Sequence, residues 1–389
     1  MSPSRPLSAR AVVVGGSLGG LFAATVLRHI GWEVDVYERS ARELDSRGGG
    51  IVLQPDVVEL LRTVGATIEG ELGVRSRDRV VYEHDGTVQR RRHAPQTQTS
   101  WSLVHEALRR HFPDEHYHRG MTFVELEQEG DGVIARFEDG TTAGADLLIG
   151  ADGGGSTVRG IVEPGNAPSY AGYLAWRGLV PEREVPEEAR ELLDHFSFAN
   201  ADGSHVLGYL VPGEGGSTAE GERFYNYVWY RVADQEAELP RIMTDRSGRA
   251  RGHSIPPGEL ADEWIERVRR DADALLPPPF RAMVHATDEP FAQGILDLVS
   301  ERMVHDRVIL LGDAAFIPRP HTAAGTSKAA ADALALGEAL EGVNDGERLA
   351  QALGDWERSQ LQLGRNLYRQ GSRIGDQLMF HPAAQRPVG

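Results

Sequence analysis

Near its N-terminus the chain alternates between apolar and glycine-rich segments in a pattern that predicts a β-α-β unit. Residues 11–14 are all apolar, as in a strand that is buried on both faces of a parallel sheet. A glycine-rich turn occupies 15–20, and apolar residues at helical spacing follow over 21–30. A second strand is predicted at 33–37. This order is typical of the start of a nucleotide-binding α/β domain.

Two further apolar strands are predicted at 145–149 and 307–311, and each runs into a segment rich in glycine and aspartate. An alanine-rich segment from about 326 to 341 predicts a long helix. Mixed charge and scattered leucines predict helices at 346–378. These elements extend the α/β domain toward the C-terminus.

Residues 170–295 have a different pattern, in which apolar and polar positions alternate and aromatic residues are frequent. The clearest examples are 205–211 and 223–232. A period of two with aromatic residues predicts a mixed or antiparallel sheet with one buried face. We therefore expect an α/β domain that is interrupted by a β-rich domain.

The 389-residue chain has no cysteine and a net charge of −17, from 41 basic and 58 acidic side chains. The absence of cysteine excludes disulfides, thiolate nucleophiles and iron–sulfur clusters. The acidic balance argues against nucleic acid or an anionic membrane as a partner, because both are bound through basic patches. The N-terminus lacks a signal-peptide pattern, and the apolar runs are shorter than the ~20 residues of a membrane span. We expect a soluble, cytoplasmic protein.

Lys328 is the only lysine, which argues against Schiff-base chemistry unless this residue is itself the nucleophile. His111, His116 and His118 have a spacing that resembles a set of metal ligands. They lie among charged residues, however, in a segment typical of a solvated loop. We expect no metal site.

The first glycine-rich turn fits a dinucleotide-binding fingerprint, with Gly15, Ser17 and Gly20 at its three positions. The helix N-terminus that follows would bind a pyrophosphate, and Glu38 would accept the ribose hydroxyls of an adenosine. Gly15, Ser17 and Gly19 also fit the nucleophile elbow of serine hydrolases. That elbow normally follows several earlier strands, so a hydrolase that uses Ser17 is a distant alternative.

Acidic residues that follow the other two buried strands give two more candidate sites. Asp152 precedes a predicted helix start that carries Arg159. Asp313 could accept hydrogen bonds from a sugar or ribityl chain, and the turn at 323–325 could direct helix N–H groups at an electron-rich ring edge. Taken singly, these motifs fit helix capping as well as ligand binding.

In this order the three motifs resemble those of the single-component flavoprotein aromatic hydroxylases, the p-hydroxybenzoate hydroxylase class. The resemblance covers residues from about 10 to 360, and 150–159 is its most specific part. It implies an α/β fold with a Rossmann-like FAD-binding domain, an inserted β-rich substrate domain and C-terminal helices. It also implies FAD as cofactor, NADH or NADPH as co-substrate, and O₂. The expected reaction is hydroxylation of a small hydroxylated aromatic or N-heteroaromatic ring through a flavin hydroperoxide.

Several questions stay open at this point. An FAD oxidase or an oxidative-rearrangement enzyme of the same fold is the alternative function. The sequence does not decide between NADH and NADPH, and it does not identify the ring or the position that is hydroxylated. The oligomeric state is also open, with a homodimer as one option.

The resemblance assigns contacts with FAD along the whole chain, and the glycines at 48–50 are assigned to another cofactor turn. The residues so assigned are Gly15, Ser17, Leu18, Gly20, Glu38, Arg39, Gly50, Gln54, Ser102, Val124, Asp152, Arg159, Asp313, Pro320, Ala323, Ala324, Gly325 and Thr326. The FAD-binding domain is predicted at 1–75, 101–169 and 300–389, the last part including the C-terminal helices, with strands for the substrate domain at 76–100 and that domain itself at 170–299.

Four places depart from the family pattern. They are Ser17 in the first turn, Phe316 where a histidine is usual, the Ala-Ala-Gly turn at 323–325 where Gly-Gln-Gly is common, and 100–103, near which an arginine is frequent. The segments at 50–55, 170–178 and 318–325 most resemble the branch of the family that hydroxylates 2,6-dihydroxypyridine. A hydroxypyridine is therefore the candidate substrate class.

The side chains expected to hold the ring lie on the alternating strands and beside the last turn. Tyr227 and Trp229 share one face of their strand, and His205 and Tyr209 share a face of the neighbouring strand. The sequence does not decide which face meets the flavin. His321 is the histidine expected closest to the flavin ring. Aromatic residues in a sheet commonly form its core, so each assignment has a purely structural alternative.

Overall fold

The computed structural model describes residues 9–42, 44, 49–68 and 70–381; Gly48 of the predicted cofactor turn lies outside them. The strands are β1 Arg10–Val14, β2 Glu33–Glu38, β3 Gly50–Val52, β4 Val74–Tyr82, β5 Val88–Ser100, β6 Tyr117–Arg119, β7 Phe123–Glu129, β8 Gly132–Phe137, β9 Thr142–Ala145, β10 Leu147–Gly150, β11 Ser169–Pro181, β12 His195–Ala201, β13 Ser204–Val211, β14 Phe224–Val232, β15 Ser254–Ile255, β16 Phe291–Val299, β17 Val304–His305, β18 Val308–Leu310 and β19 Phe316–Ile317.

The α-helices are α1 Leu18–His29, α2 Pro55–Val64, α3 Trp101–His111, α4 Thr157–Val162, α5 Leu239–Ile242, α6 Asp262–Leu275, α7 Pro278–His285, α8 Gly325–Leu340 and α9 Gly346–Met379. Short 3₁₀ helices occupy Asp114–His116, Glu182–Glu184, Glu187–Leu192, Glu214–Gly216, Gly312–Ala314 and Pro320–Thr322.

The first sheet has six strands in the order β17-β18-β10-β1-β2-β6. All of its pairings are parallel except that of β17 with β18. Helices α1 and α8 pack against each other on this sheet, where Gly337 leaves room for the Val26 side chain. The predicted β-α-β unit is present, and its apolar strands form a core from which water is excluded.

The buried strand predicted at 145–149 is present as β10, but it begins at Leu147, because the chain changes sheet at Asp146. Strand β9, before this residue, pairs with β8 in a three-stranded sheet. Strand β10, after it, pairs with β1. The Asp146 carboxylate accepts a hydrogen bond from the Arg10 N–H (3.1 Å), which ties the switch point to the first sheet.

The second sheet has ten strands, nine of them in the order β15-β16-β11-β14-β13-β12-β4-β5-β3, with β19 paired to β16. One of its faces is covered by α6 and α7, whose apolar side chains join those of the strands in a single cluster. Strands β4 and β5, from the predicted 76–100 segment, belong to this sheet. The domain boundaries themselves stay a prediction.

The C-terminal segment is one helix of 34 residues, α9, rather than the several helices that the sequence predicts. Three of its glycines lie against other parts of the chain. A Cβ added at Gly364 would meet the Phe316 ring at 2.7 Å, and one added at Gly375 would meet the Tyr173 hydroxyl at 2.7 Å. Gly371 approaches the backbone of Arg319. These close contacts hold α9 against the segment 316–319.

Within the described ranges, no helix is both long enough and apolar enough to cross a membrane.

Candidate active site

A cleft of about 1330 Å³ lies between the first sheet and the ten-stranded sheet. Its lining includes Ser102 and Arg109 from α3, Tyr117 from β6, and Arg177 from β11. Pockets for drug-sized ligands usually have about 300–1,000 Å³, so this cleft has room for a larger molecule. A dinucleotide is a ligand of suitable size.

The first glycine turn leads into α1, and it has no room for a Cβ at Gly15 or Gly20. Gly15 has φ +109°, and a Cβ there would meet the Ala151 carbonyl oxygen at 2.4 Å. A Cβ at Gly20 would meet the Gly15 carbonyl oxygen at 1.8 Å. Ser17 is the N-cap of α1 without a side-chain capping bond, and the buried Leu18 begins the helix. The backbone is therefore free to approach a phosphate group closely.

Glu38 holds this turn in place through backbone hydrogen bonds. Its buried carboxylate accepts bonds from the Gly16 N–H and the Ser40 N–H, both at 2.8 Å. A carboxylate has about four acceptor sites, so two remain for ribose hydroxyls. Arg39 beside it is exposed. Val124, also assigned to FAD from the sequence, is 46% exposed on β7 and is absent from the lining of the cleft.

Asp152 lies in the loop after β10 and Arg159 lies on α4, and neither residue is part of the lining of the cleft. The Asp152 carboxylate accepts hydrogen bonds from the Ser156 hydroxyl and from the Thr157 and Val158 N–H groups, so it caps α4. The Arg159 side chain is buried. Its guanidinium donates to the carbonyls of Ala314, Gly154 and Asn166. These bonds link this loop to the Gly-Asp segment, Gly312–Ala314, and the contact of Arg159 with FAD stays a prediction.

The Gly-Asp segment, Gly312–Ala314, is held in place by a buried ion pair on α8. Gly312 has φ +62°, and its N–H donates to Asp332 Oδ2 (3.1 Å). The same oxygen accepts from Lys328 Nζ at 2.5 Å, and both side chains are at most 1% exposed. Asp313 is solvent-accessible in a recess of the protein. Desolvation there raises the pKa of its carboxyl, and the charge of Lys328 opposes this rise.

The turn at 323–325 places the start of α8 near the segment that contains Gly312 and Asp313. Ala323 adopts the left-handed conformation with φ +52°, and α8 begins at Gly325 after Ala324. Gln54 Nε2 donates to the Ala323 carbonyl at 3.5 Å. The first N–H groups of a helix have no partner inside the helix, so they can bind a ring oxygen or nitrogen. Pro320 is exposed, and Thr326, in the first turn of α8, is partly buried.

Gly50 lies where β3 meets the ten-stranded sheet. A Cβ at this position would meet Val211, Tyr209 and Asn226 at 2.7 to 3.1 Å. Its N–H donates to Asn226 Oδ1 at 3.4 Å. The N-terminal segment thus contacts the face of the sheet that is free of α6 and α7.

That face carries a group of aromatic and imidazole side chains, which we call the ring cluster: Tyr173, His205, Tyr209, Tyr230 and His321. Strand register sets His205 opposite Tyr230, and their rings are nearly parallel at a centroid distance of 5.9 Å. His321 reaches this group from the loop before α8, 4.7 Å from the Tyr230 ring. The Tyr173 hydroxyl and His321 Nε2 are 2.8 Å apart.

Desolvation keeps His321 and the tyrosines of the ring cluster uncharged near neutral pH. It lowers the pKa of His321 to about 3, with help from His205 and Arg319. It raises the pKa of Tyr209 to about 12 and that of Tyr230 further. His205 Nδ1 is 2.7 Å from Asn200 Oδ1. The cluster can therefore stack against a flat ring and form neutral hydrogen bonds with it.

Tyr227 and Trp229 point to the other face of the sheet, so we correct the expectation that they hold the ring. Both side chains are fully buried in the core beneath α6 and α7, and Trp229 Nε1 donates to the Ser204 hydroxyl (2.7 Å). Alternation within β14 separates them from Tyr230. Of the five ring candidates from the sequence, His205 and His321 come together, with ring centroids 6.0 Å apart, and Tyr209 lies on the same strand as His205.

Sequence reasoning missed Tyr173, Arg319 and the Lys328–Asp332 pair. Tyr173 lies in a segment that resembles the family, but nothing in its spacing indicates a contact with His321. Lys328 was noticeable as the only lysine. Asp332 follows it by four residues on α8, and this helical spacing could have predicted the pair.

The glycine turns, the two helix N-termini and the size of the cleft fit FAD. Comparison with known proteins bears this out. Residues 170–297 match a family model described as "FAD binding domain-like", and residues 281–370 match one described as "FAD binding domain". The chain is 38% identical to the 2,6-dihydroxypyridine 3-monooxygenase of Paenarthrobacter nicotinovorans, covering 92% of this chain and 89% of that protein. It is 29% identical to the 6-hydroxynicotinate 3-monooxygenase of Pseudomonas fluorescens, covering 91% and 88%.

Among solved structures, 2,6-dihydroxypyridine-3-hydroxylase from Arthrobacter nicotinovorans superposes with a TM-score of 0.91 at 34% identity, over 99% of this chain and 96% of that one. An FAD complex of a single-site variant of Klebsiella pneumoniae HpxO gives a TM-score of 0.78 at 25% identity, over 95% and 90%. These matches confirm the predicted p-hydroxybenzoate hydroxylase type of fold and FAD as the cofactor. The chain belongs to the family of single-component FAD-dependent aromatic hydroxylases.

Proposed function

We propose that this FAD-dependent monooxygenase hydroxylates a small dihydroxylated pyridine, with NADH or NADPH as the reductant. The observation that carries the proposal is the ring cluster, which lies beside the start of α8 on the open face of the ten-stranded sheet. Support also comes from the relative of 38% identity, whose name gives 2,6-dihydroxypyridine as its substrate. A second relative carries 6-hydroxynicotinate in its name.

When FAD is bound, it supplies the redox chemistry between NAD(P)H, O₂ and the ring. The residues of this chain then have to bind the ring, orient it and exclude water. Tyr230 and His205 offer parallel ring faces for stacking. Tyr209 keeps its phenolic proton up to about pH 12 and can donate it to an oxygen of the substrate.

The polarity of the cluster favours a ring that carries oxygen and nitrogen acceptors. Among the described residues, the buried His321 Nδ1 has no hydrogen-bond partner, so a substrate without polar atoms would leave it unsatisfied. A purely hydrocarbon ring is therefore disfavoured. A dihydroxypyridine has two oxygens and one ring nitrogen that can form hydrogen bonds with the ring cluster.

The hydrolase alternative receives no support from the surroundings of Ser17. Among the described residues, no imidazole hydrogen-bonds its hydroxyl. The nearby His105 directs Nε2 to the Gly16 carbonyl (3.2 Å) instead. A serine nucleophile needs an adjacent base.

The test uses the purified protein reconstituted with FAD. We expect a bound-flavin visible spectrum, oxidation of NADH or NADPH that 2,6-dihydroxypyridine stimulates, and one oxygen-18 atom from ¹⁸O₂ in the product. Pyridine is the control ring, because it has the ring nitrogen without hydroxyl groups. Stimulated oxidation without oxygen-18 in the product would indicate an oxidase, and absence of any stimulation would contradict the substrate class.

The homodimer and the cytoplasmic location stay predictions from the sequence. Size-exclusion chromatography with light scattering would decide the first.

A further inference from the structure

A charged network behind the ring cluster ends at the Tyr173 hydroxyl. The buried Arg319 donates from Nε and Nη2 to the Asp297 carboxylate, at 2.7 to 3.0 Å. Its Nη1 donates to Asp376 Oδ1 of α9 at 2.7 Å. Two carboxylates therefore fix the guanidinium and keep it charged. The guanidinium carbon lies 5.6 Å from the centre of the Tyr173 ring.

This cation determines which way the Tyr173 hydroxyl points. An arginine side chain has donors and no acceptor, so it cannot accept the phenolic proton. A positive charge also favours the oxygen lone pairs on its own side. The acceptor available to the buried hydroxyl is His321 Nε2, 2.8 Å away. Tyr173 therefore donates to His321.

The hydrogen bond in turn fixes the tautomer of His321. An Nε2 that accepts a proton cannot carry one, and a neutral imidazole has its single proton on the other nitrogen. Nδ1 is thus the N–H donor. In the part of the chain that the structure describes, this buried Nδ1 has no hydrogen-bond partner. A buried donor without a partner costs about 1–3 kcal/mol, which a ligand that accepts the bond would relieve.

We propose that Arg319 and Tyr173 are positioning residues that hold His321 in the Nδ1–H tautomer, so that this N–H binds an acceptor atom of the ring substrate. The acceptor is an oxyanion or a ring nitrogen of a hydroxylated N-heteroaromatic ring. This step rests on the proposed function, since it takes the ring cluster as the substrate site. It also gives the contact with α9 a role, because Asp376 would be connected to the substrate through the side chains of Arg319, Tyr173 and His321.

The tautomer can be read without any turnover. Protein labelled with ¹⁵N-histidine reports in its ¹⁵N NMR spectrum which ring nitrogen carries the proton, and His321→Gln identifies the signal. We expect protonated Nδ1 in the wild type and a mixture of tautomers in Tyr173→Phe. Tyr170→Phe is the matched control, because the Tyr170 hydroxyl bonds to the Ala233 carbonyl, outside the ring cluster. Protonated Nε2 in the wild type, or no change in Tyr173→Phe, would overturn the positioning role.

The ligand role is measured by titrating the FAD-loaded protein with 2,6-dihydroxypyridine and following the flavin spectrum. We expect about tenfold weaker binding in Tyr173→Phe and in His321→Leu. His321→Asn should retain most of the affinity, because its amide NH₂ can replace Nδ1–H. Equal affinity in wild type and His321→Leu would refute the ligand role. Loss of ring binding in the wild type would instead refute the proposed function, while the NMR result still decides the tautomer.

Discussion

Both faces of the ten-stranded sheet are rich in aromatic side chains, but their surroundings differ. On one face Tyr225, Tyr227 and Trp229 are fully buried beneath α6 and α7. On the other, Tyr230 meets the loop that carries His321, and Tyr209 packs beside Phe196. The first face is a hydrophobic core, and the second offers polar atoms to a ligand. The same residue types on the same strands thus serve either as core or as a polar surface, and the presence of α6 and α7 over a face determines its role.

The largest expected effect concerns the covered face. Trp229→Ala should lower the free energy of unfolding by about 3–5 kcal/mol, because it leaves a cavity under α6 and α7. The measurement is denaturant unfolding followed by circular dichroism. Tyr209→Phe is the control on the open face and should cost less than about 1 kcal/mol, since it removes only a hydroxyl. Similar losses for both variants would contradict the distinction between the faces.

The open face should contribute less to the free energy of unfolding in acid. Its His321 has a pKa lowered to about 3, while an unfolded histidine has about 6.5, so the unfolded state binds one more proton between these values. Stability from this group is therefore present above pH 6.5 and is lost as the pH falls toward 3. The slope of unfolding free energy against pH should include up to about 1.4 kcal/mol per unit from this residue. His321→Asn should remove that part, and an unchanged slope between pH 6.5 and 5 would argue against it.

The buried tyrosines of both faces should reduce stability in alkali, and Tyr227 gives part of this loss on the covered face. Burial raises the pKa of Tyr227 to about 12, against about 10 in the unfolded chain. Stability from this group is present below pH 10 and is lost as the pH rises toward 12, again by up to about 1.4 kcal/mol per unit. Tyr227→Phe should flatten the curve above pH 10 by this part only, because the other buried tyrosines, Tyr209 among them, keep their own contributions. A curve of wild-type slope in Tyr227→Phe would disprove the assignment.

Sequence reasoning succeeded best where the constraint is local. Gly15 and Gly20 are required because backbone atoms lie within 2.4 Å of where their Cβ would be, and such turns have a fixed residue pattern. The apolar strands β1 and β10 are similarly evident from composition alone. Asp152 shows the limit. Its position after a strand fits both a cap and a ligand contact; the structure shows the cap, through the Thr157 and Val158 N–H groups, and the ligand contact stays a prediction.

The amino-acid sequence by itself determined the order of elements, the positions of the glycine turns and the family. These properties depend on short-range spacing along the chain. Only the tertiary structure decided which face of the sheet meets the cleft, because that depends on where α6 and α7 pack. It also brought Arg319, Tyr173 and His321 together from distant segments, since a hydrogen-bond network depends on distances in space that spacing along the chain does not fix.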